Sequence, residues 1–404
     1  MPEAVVIGAG PGGLAAAAML QHVGVDACVV DRADAVGASW RGHYERLHLH
    51  TVRWLSHLPG FHIPKRYGKW VARDDVVRYL ESYASHHRLD VRLNTAVTRI
   101  DRDGDRWVLR TAAGDINAGY VVVATGHNHT PALPDWPGAD GFTGELLHAS
   151  RYRNATPYAG KSVLVVGSGN TGAEIAVDLI ESGAREVNIA IRTPPHIVLR
   201  ENHGIPSLAL GVLFRHLPPR VFDPVAAVMR KVDIGDLAPY GLPTPSDGLY
   251  ERILLDDAIP LVDVGFIDAL KKGKVTVVGA VEGFDGADVL LADGTRLRPD
   301  AVVAATGYRR GLDPLVGHLG VLGPDGRPTV RGGDVHPQAP RLWFTGYTNP
   351  ISGMFRELGI DAKRIARAVV RERARAGDAS VAPVLDALRV TMPALVPGKE
   401  PLRS

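Results

Sequence analysis

The chain has 404 residues, 45% of them hydrophobic, and a formal net charge of +2. That length allows two or three domains with full cores, and the dispersed, near-balanced charge carries no nucleic-acid signal. One cysteine, Cys28, excludes an intrachain disulfide and any CxxC redox pair, and its apolar setting reads as a buried structural thiol.

The apolar run Ala4-Val5-Val6-Ile7 leads into Gly8-Ala9-Gly10-Pro11-Gly12-Gly13. This is a strand, a glycine turn and a helix. Gly8 allows the tight turn, Gly10 lets backbone approach a pyrophosphate, and Gly13 lets helix and strand pack closely. The following helix, Leu14 to His22, offers unpaired N–H groups and a positive dipole end to phosphate. A strand over Asp26 to Val30 ends at Asp31, about 20 residues past the fingerprint, where an acid holds a ribose diol. A basic N-terminal region is lacking and glycines interrupt the first apolar run, so it reads as a strand and helix, not a signal peptide.

The region Ala33 to Tyr67 is irregular and dense in His, Arg and Trp. A helix is expected over Asp74 to His86, with Asp74 as N-cap. Val91 to Arg99 and Arg106 to Thr111 read as a hairpin or meander about Asp103-Gly104-Asp105, and Tyr120 to Ala124 as a fully apolar strand. A proline-rich connector, Pro131 to Pro137, precedes a second nucleotide unit from Lys161 to about Arg192. There Gly167-Ser168-Gly169-Asn170-Thr171-Gly172 follows Ser162-Val163-Leu164-Val165-Val166, with a helix over Ala173 to Ser182 and a strand over Val187 to Ile191.

The second unit's strand ends in Arg192-Thr193 with no acid. A cation there pairs with a 2′-phosphate, whereas an acid favours the unphosphorylated ribose. The pattern assigns FAD to the first loop and NADPH to the second, although a solvated strand-end arginine is the competing reading of Arg192. Pro194 to Pro260 is proline-rich and carries an apolar stretch, Ser207 to Phe214, that suits packing over an active site or against a partner better than membrane contact. Strands are expected at Val275 to Val278, Val289 to Leu291, Ala301 to Ala305 and Leu342 to Thr345. A helix over Phe355 to Ala376 and a peripheral tail after Gly377 end the chain. No stretch approaches the roughly 20 apolar residues of a bilayer span, so a soluble cytoplasmic protein without stable membrane insertion is expected.

The expected fold is therefore α/β, with two Rossmann-like dinucleotide-binding domains, the second inserted in the first. Boundaries fall at 1–155 plus 300–404 for FAD and 156–299 for NADPH.

Phe142-Thr143-Gly144-Glu145-Leu146-Leu147-His148-Ala149-Ser150-Arg151-Tyr152 resembles the F-x-G-x-x-x-H-x-x-x-(W/F/Y) signature of class B flavin monooxygenases. Gly37-Ala38-Ser39-Trp40-Arg41 resembles that family's flavin-side loop. Val122-Val123-Ala124-Thr125-Gly126-His127-Asn128 and Ala304-Ala305-Thr306-Gly307-Tyr308 resemble its two A-T-G crossings. Tyr44-Glu45-Arg46-Leu47-His48-Leu49-His50, Tyr79 to Ala84, Val262-Asp263-Val264-Gly265 and Gly359 to Ala366 are similar to the plant YUCCA-type branch.

The resemblance implies FAD contacts at Ser39, Trp40, Leu49, Thr125 and Gly126, and further cofactor contacts at Thr306, Gly307 and Tyr308. It places His50 beside the flavin C4a, where many class B enzymes carry asparagine. Two roles stand open for His50: hydrogen-bond donor to a flavin peroxide, or space-filling neighbour. His148 reads as a hinge or packing residue at the domain junction. The activity implied is an NADPH- and O2-dependent monooxygenation through a C4a-(hydro)peroxyflavin. The substrate is a small organic molecule: a 2-oxo acid or ketone, or a soft nitrogen, sulfur or indole nucleophile. The alternatives are a ferredoxin-reductase-like flavoprotein and a redox-sensing protein that binds nucleotides without turnover. No metal is expected, and a homodimer is allowed but not indicated.

Overall fold

The computed structural model describes residues 2–202, 204–207, 218–256, 259–350 and 352–384. Two five-stranded parallel sheets dominate it. In the first, strands run in the order Leu342–Phe344, Tyr120–Val123, Ala4–Ile7, Ala27–Val30, Asp90–Arg92. In the second the order is Thr276–Val278, Glu186–Ala190, Ser162–Val166, Ala301–Ala304, Glu145–His148. The central strands of both are buried along their whole length, as parallel strands covered on both faces must be.

On one face of the first sheet lie α1 (Pro11–His22) and the C-terminal helix, packed on Val6, Val122 and Trp343. On the other lies an antiparallel meander, Val97–Asp103, Arg106–Thr111 and Ile116–Ala118, seated on Val5, Ile7 and Val123. A second meander, Val281–Asp285, Asp288–Leu291 and Arg296–Leu297, covers the second sheet with Trp136 and Phe284. The internal repeat is thus larger than the glycine loops and includes a meander in each unit.

The helices fall close to their expected spans. They are α2 (Arg73–His86), α3 (Asn170–Glu181) and α4 (Met354–Arg375). Two local expectations fail. Ala72, not Asp74, is the N-cap of α2, and Asp74 instead sits in the first turn, paired with Arg73, where its charge suits the helix dipole. Val91 to Arg99 is no continuous strand: Asp90–Arg92 joins the parallel sheet and Val97 begins the meander.

The expected domain boundaries also move. Glu145–His148 and Ala301–Ala304 both hydrogen-bond into the second sheet, so that sheet begins before residue 156 and ends after residue 299. Its edge strand comes from the signature segment, which a cut at 155 assigns to the wrong unit. The two crossings are joined to each other: Thr130–Pro131 pairs with Tyr308–Arg309 in antiparallel register. Most of the apolar stretch Ser207 to Phe214, and the tail from residue 385, lie outside the described residues. Among those described, no helix is long and apolar enough to cross a membrane, and Cys28 is buried.

Candidate functional site

The two glycine loops have the same division of labour. Gly8 and Gly167 adopt φ of 113° and 126°, and a Cβ on either would strike the carbonyl oxygen of the neighbouring strand end, Ala124 or Ala305. A Cβ on Gly13 would collide with the Gly8 carbonyl, and one on Gly172 with that of Gly167. These four glycines are required by the protein itself. Gly10 and Gly169 are different: each is the N-cap of its helix in extended backbone, and a Cβ there would meet nothing within 4 Å. The open space lies where N–H groups of a helix N-terminus converge, which fits a pyrophosphate in each loop.

Around the first loop, Asp31 accepts hydrogen bonds from Ala9 N–H at 2.6 Å and Ala33 N–H at 2.8 Å. Gly37 N–H donates to the Ala9 carbonyl, bringing the short helix with Ser39 and Trp40 against the loop. Trp40 meets Phe355 of α4 edge-on. Thr125 donates from its N–H to the Tyr347 hydroxyl at 3.1 Å, and their hydroxyl oxygens lie 2.8 Å apart. Burial pushes Tyr347 up to about 12, so it stays a phenol. Gly126, with φ of 90°, follows at the strand end.

In the second loop, Ser168 donates to the Thr193 carbonyl at 3.2 Å, while Arg192 and Thr193 are exposed at the end of their strand. The Asn170 side chain is spent on structure: Nδ2 donates to Pro260 O at 3.2 Å, and Oδ1 accepts from Val262 N–H at 2.6 Å. That clamp explains the Val262-Asp263-Val264-Gly265 segment, whose Asp263 accepts from Ile267 N–H. Only the backbone of Asn170 remains available to a phosphate.

The signature segment is a strap on the second unit. Phe142 packs on Phe284, and Tyr152 donates to Asp178 of α3 at 2.6 Å. His148 Nε2 donates to Gly307 O at 3.0 Å, and its Nδ1 accepts from Ser150 N–H at 3.1 Å. Those contacts fix one neutral tautomer, and burial lowers the histidine's pKa further. Thr306 donates to the Ala132 carbonyl at 2.6 Å, and Tyr308 stands edge-on to His148. The Thr306 hydroxyl thus ties the second crossing to the connector, and Tyr308 stands between His148 and the junction at Tyr44.

The units meet at His50. Its Nε2 donates to Oε1 of Glu174 in α3 at 2.6 Å. Glu174 is only 3% exposed, in the turn of α3 that follows the second glycine loop, close to Thr171. Tyr44 is buried there too, its phenol held well above the usual range by burial and by the Glu174 carboxylate. Leu49, beside His50, donates from its N–H to Val71 O. One chain of contacts thus links a loop of the first unit to the helix that starts at the second glycine loop.

Sequence reasoning missed Glu174 and Tyr347. A signal for Glu174 was present: one acid inside the apolar run Ala173-Glu174-Ile175-Ala176-Val177, where a buried charge demands a partner. Tyr347 gave none, because its role depends on the adjacency of two distant strand ends.

Two nucleotide units of like strand, glycine loop and helix sharing one junction define a two-dinucleotide flavoprotein. Residues 5–203 match the pyridine nucleotide-disulphide oxidoreductase family. Indole-3-pyruvate monooxygenase YUCCA1 of Oryza sativa subsp. japonica is 37% identical over 327 residues, which is 80% of each chain. The probable indole-3-pyruvate monooxygenase YUCCA3 of Arabidopsis thaliana is 32% identical, over 80% of this chain and 77% of its own. A flavin-containing monooxygenase structure from Stenotrophomonas maltophilia superposes with a TM-score of 0.68 at 25% identity, covering 91% of this chain and 99% of its own.

The chain belongs to the class B flavin monooxygenases, near their YUCCA branch. It is an enzyme, a monooxygenase, and its cofactors are FAD and NADPH. Its single cysteine, buried at position 28, gives no part to the dithiol chemistry in the broader family's description.

Proposed function

We propose that the enzyme converts a 2-oxo acid bearing an aromatic side chain into the carboxylic acid one carbon shorter, with release of CO2. NADPH provides two electrons; one atom of O2 enters the acid and the other leaves as water. The junction where His50 meets Glu174 supports this reading, because it joins a loop of the first unit to the helix that starts at the second glycine loop. The substrate class is supported by the relatives whose names specify indole-3-pyruvate.

In this reading FAD lies on the Gly8–Gly13 loop, with Asp31 toward its ribose, and NADPH on the Gly167–Gly172 loop, with Arg192 and Thr193 toward its 2′-phosphate. The chemistry FAD supplies when bound is two-electron reduction by NADPH and activation of O2 at C4a, the (hydro)peroxy route. The protein's own part is orientation and dryness. Glu174 holds the His50 ring through Nε2, so any contact with a substrate or flavin oxygen leaves from Nδ1. A donor role for Nδ1 then requires the doubly protonated ring. Tyr44, buried beside Glu174, shields that end of the pair.

The test is a stoichiometry. With indole-3-pyruvate, NADPH oxidised, O2 consumed and CO2 released should stand near one to one to one, with little hydrogen peroxide. NADPH oxidation that yields only peroxide with every 2-oxo acid tried would refute the substrate class.

A further inference from the structure

Arg200 stands in the same junction, and among the described residues its guanidinium has no hydrogen-bond or ion-pair partner. Strand pairing fixes its surroundings. Leu49 N–H donates to Val71 O, and His48 bridges Ala72 in antiparallel register, so the segment leading to His50 runs alongside the one that follows Trp70. The Arg200 guanidinium carbon is 4.7 Å from the centre of the Trp70 ring. Arg200 belongs to the second unit, directly after the strand Ile197–Leu199, and Trp70 to the first. The stack is a further contact between the units, beside those of His50 with Glu174, Lys69 with Glu201 and Arg46 with Glu181.

The neighbouring cations are all engaged. Lys69 pairs with Glu201 at 2.6 Å, and Arg46 with Glu181. Arg53 donates to the carbonyls of Ile63 and Gly68, and Arg153 to those of Gly42 and Ser150. Of this group Arg46 and Lys69 face carboxylates and Arg53 and Arg153 spend donors on carbonyls, whereas half-buried Arg200 has neither kind of partner among the described residues. Burial lowers its pKa, while the field of the Glu174 carboxylate works the other way. A guanidinium held out of bulk water without an anion is costly, and such a cost persists where a ligand supplies the anion. A cation–π contact consumes none of the guanidinium's N–H donors and leaves them for a planar, bidentate acceptor.

We propose that Arg200, held over Trp70 within the field of the His50–Glu174 pair, binds the carboxylate of the substrate and makes the junction selective for organic acids. This rests on the 2-oxo acid reading above. The same chemistry would suit a phosphate of NADPH, but Arg192 and Thr193 already stand at the second loop, where Ser168 meets the Thr193 carbonyl. Arg200 lies instead against a side chain of the first unit.

The experiment is calorimetric titration of the oxidised, FAD-loaded enzyme with phenylpyruvate, with its neutral counterpart phenylacetone, and with NADP+. Wild type, Arg200→Gln and Arg200→Lys are compared, with FAD content and melting temperature as checks on folding. Arg200→Gln should weaken phenylpyruvate about ten- to a hundredfold, the loss of a charge-assisted pair. It should leave phenylacetone and NADP+ within about twofold, and Arg200→Lys should recover part of the loss. Equal weakening of phenylpyruvate and phenylacetone would overturn the inference in favour of packing through Trp70. Weakening of NADP+ alone would make Arg200 a phosphate ligand and overturn it too. An unchanged phenylpyruvate affinity in Arg200→Gln would defeat the inference while leaving the 2-oxo acid reading intact. A wild type that binds phenylacetone but not phenylpyruvate would sink both.

Discussion

His50 and Glu174 lie 124 positions apart in sequence and share a 2.6 Å hydrogen bond that crosses from one nucleotide unit to the other. Glu174 is 4% exposed at its side chain and His50 20%, so neither is freely solvated. Removing the histidine takes one hydrogen-bond partner from a buried carboxyl group and leaves it Tyr44, which costs about 1–3 kcal/mol. His50→Ala should therefore lower the melting temperature as well as alter chemistry. Anaerobic reduction by NADPH should stay almost intact, while peroxide release rises at the expense of product. Slowed reduction with unchanged coupling would instead move His50 to the nicotinamide side.

The two kinds of glycine separate cofactor binding from folding. At Gly10 a Cβ meets no protein atom within 4 Å and the backbone is extended, so Gly10→Val should fold and emerge colourless. Gly13→Ala collides with the Gly8 carbonyl and should be destabilised with or without flavin. Absorbance and thermal melts of the two proteins distinguish these outcomes, and full FAD occupancy in Gly10→Val would rule out the pyrophosphate assignment.

Arg192 is exposed beside the second loop. Arg192→Ala should raise the NADPH requirement roughly ten- to a hundredfold, equivalent to about 1.5–3 kcal/mol, and leave NADH use nearly unchanged. Steady-state kinetics with both nucleotides reads this directly. Parallel losses would make the residue structural.

Asp361 of α4 is raised by burial from 3.8 to about 6, against the pull of Arg331, Arg364 and the hydrogen bond from Thr345. A raised carboxyl favours the folded state while protonated, so its contribution is full below about 4 and is lost as pH climbs through about 6. The loss is on the order of 3 kcal/mol. Asp361→Asn should remove that slope, and above pH 6 it should be the more stable protein. Urea unfolding of both proteins between pH 5 and 7.5 checks the sign; a wild type that gains on the variant as pH rises would reverse it.

What could be read from sequence was local and periodic. Each glycine loop stands between an unbroken apolar run and a helix, so Gly8 to Gly13 and Gly167 to Gly172 declared their elements and their partition of roles. The signature segment showed the family but not its mechanics: that His148 ties Gly307, and that Glu145–His148 enters the second sheet, depends on pairing with a strand more than 150 residues away. The side-chain role of Asn170 was hidden for a related reason. Its place in the fingerprint suggests phosphate, yet its side chain closes on Pro260 and Val262. Arg200 was hidden among many arginines, and only the engagement of its neighbours sets it apart.

The most direct test of the central claim mixes the reduced, NADP+-bound enzyme with oxygen in a stopped-flow spectrometer, with and without indole-3-pyruvate. The expected record is a transient absorbance distinct from both reduced and oxidised flavin, long-lived alone and consumed faster when the 2-oxo acid is present, with CO2 released in step. A single-phase return to oxidised flavin, with peroxide formed in full and no effect of the acid, would contradict it.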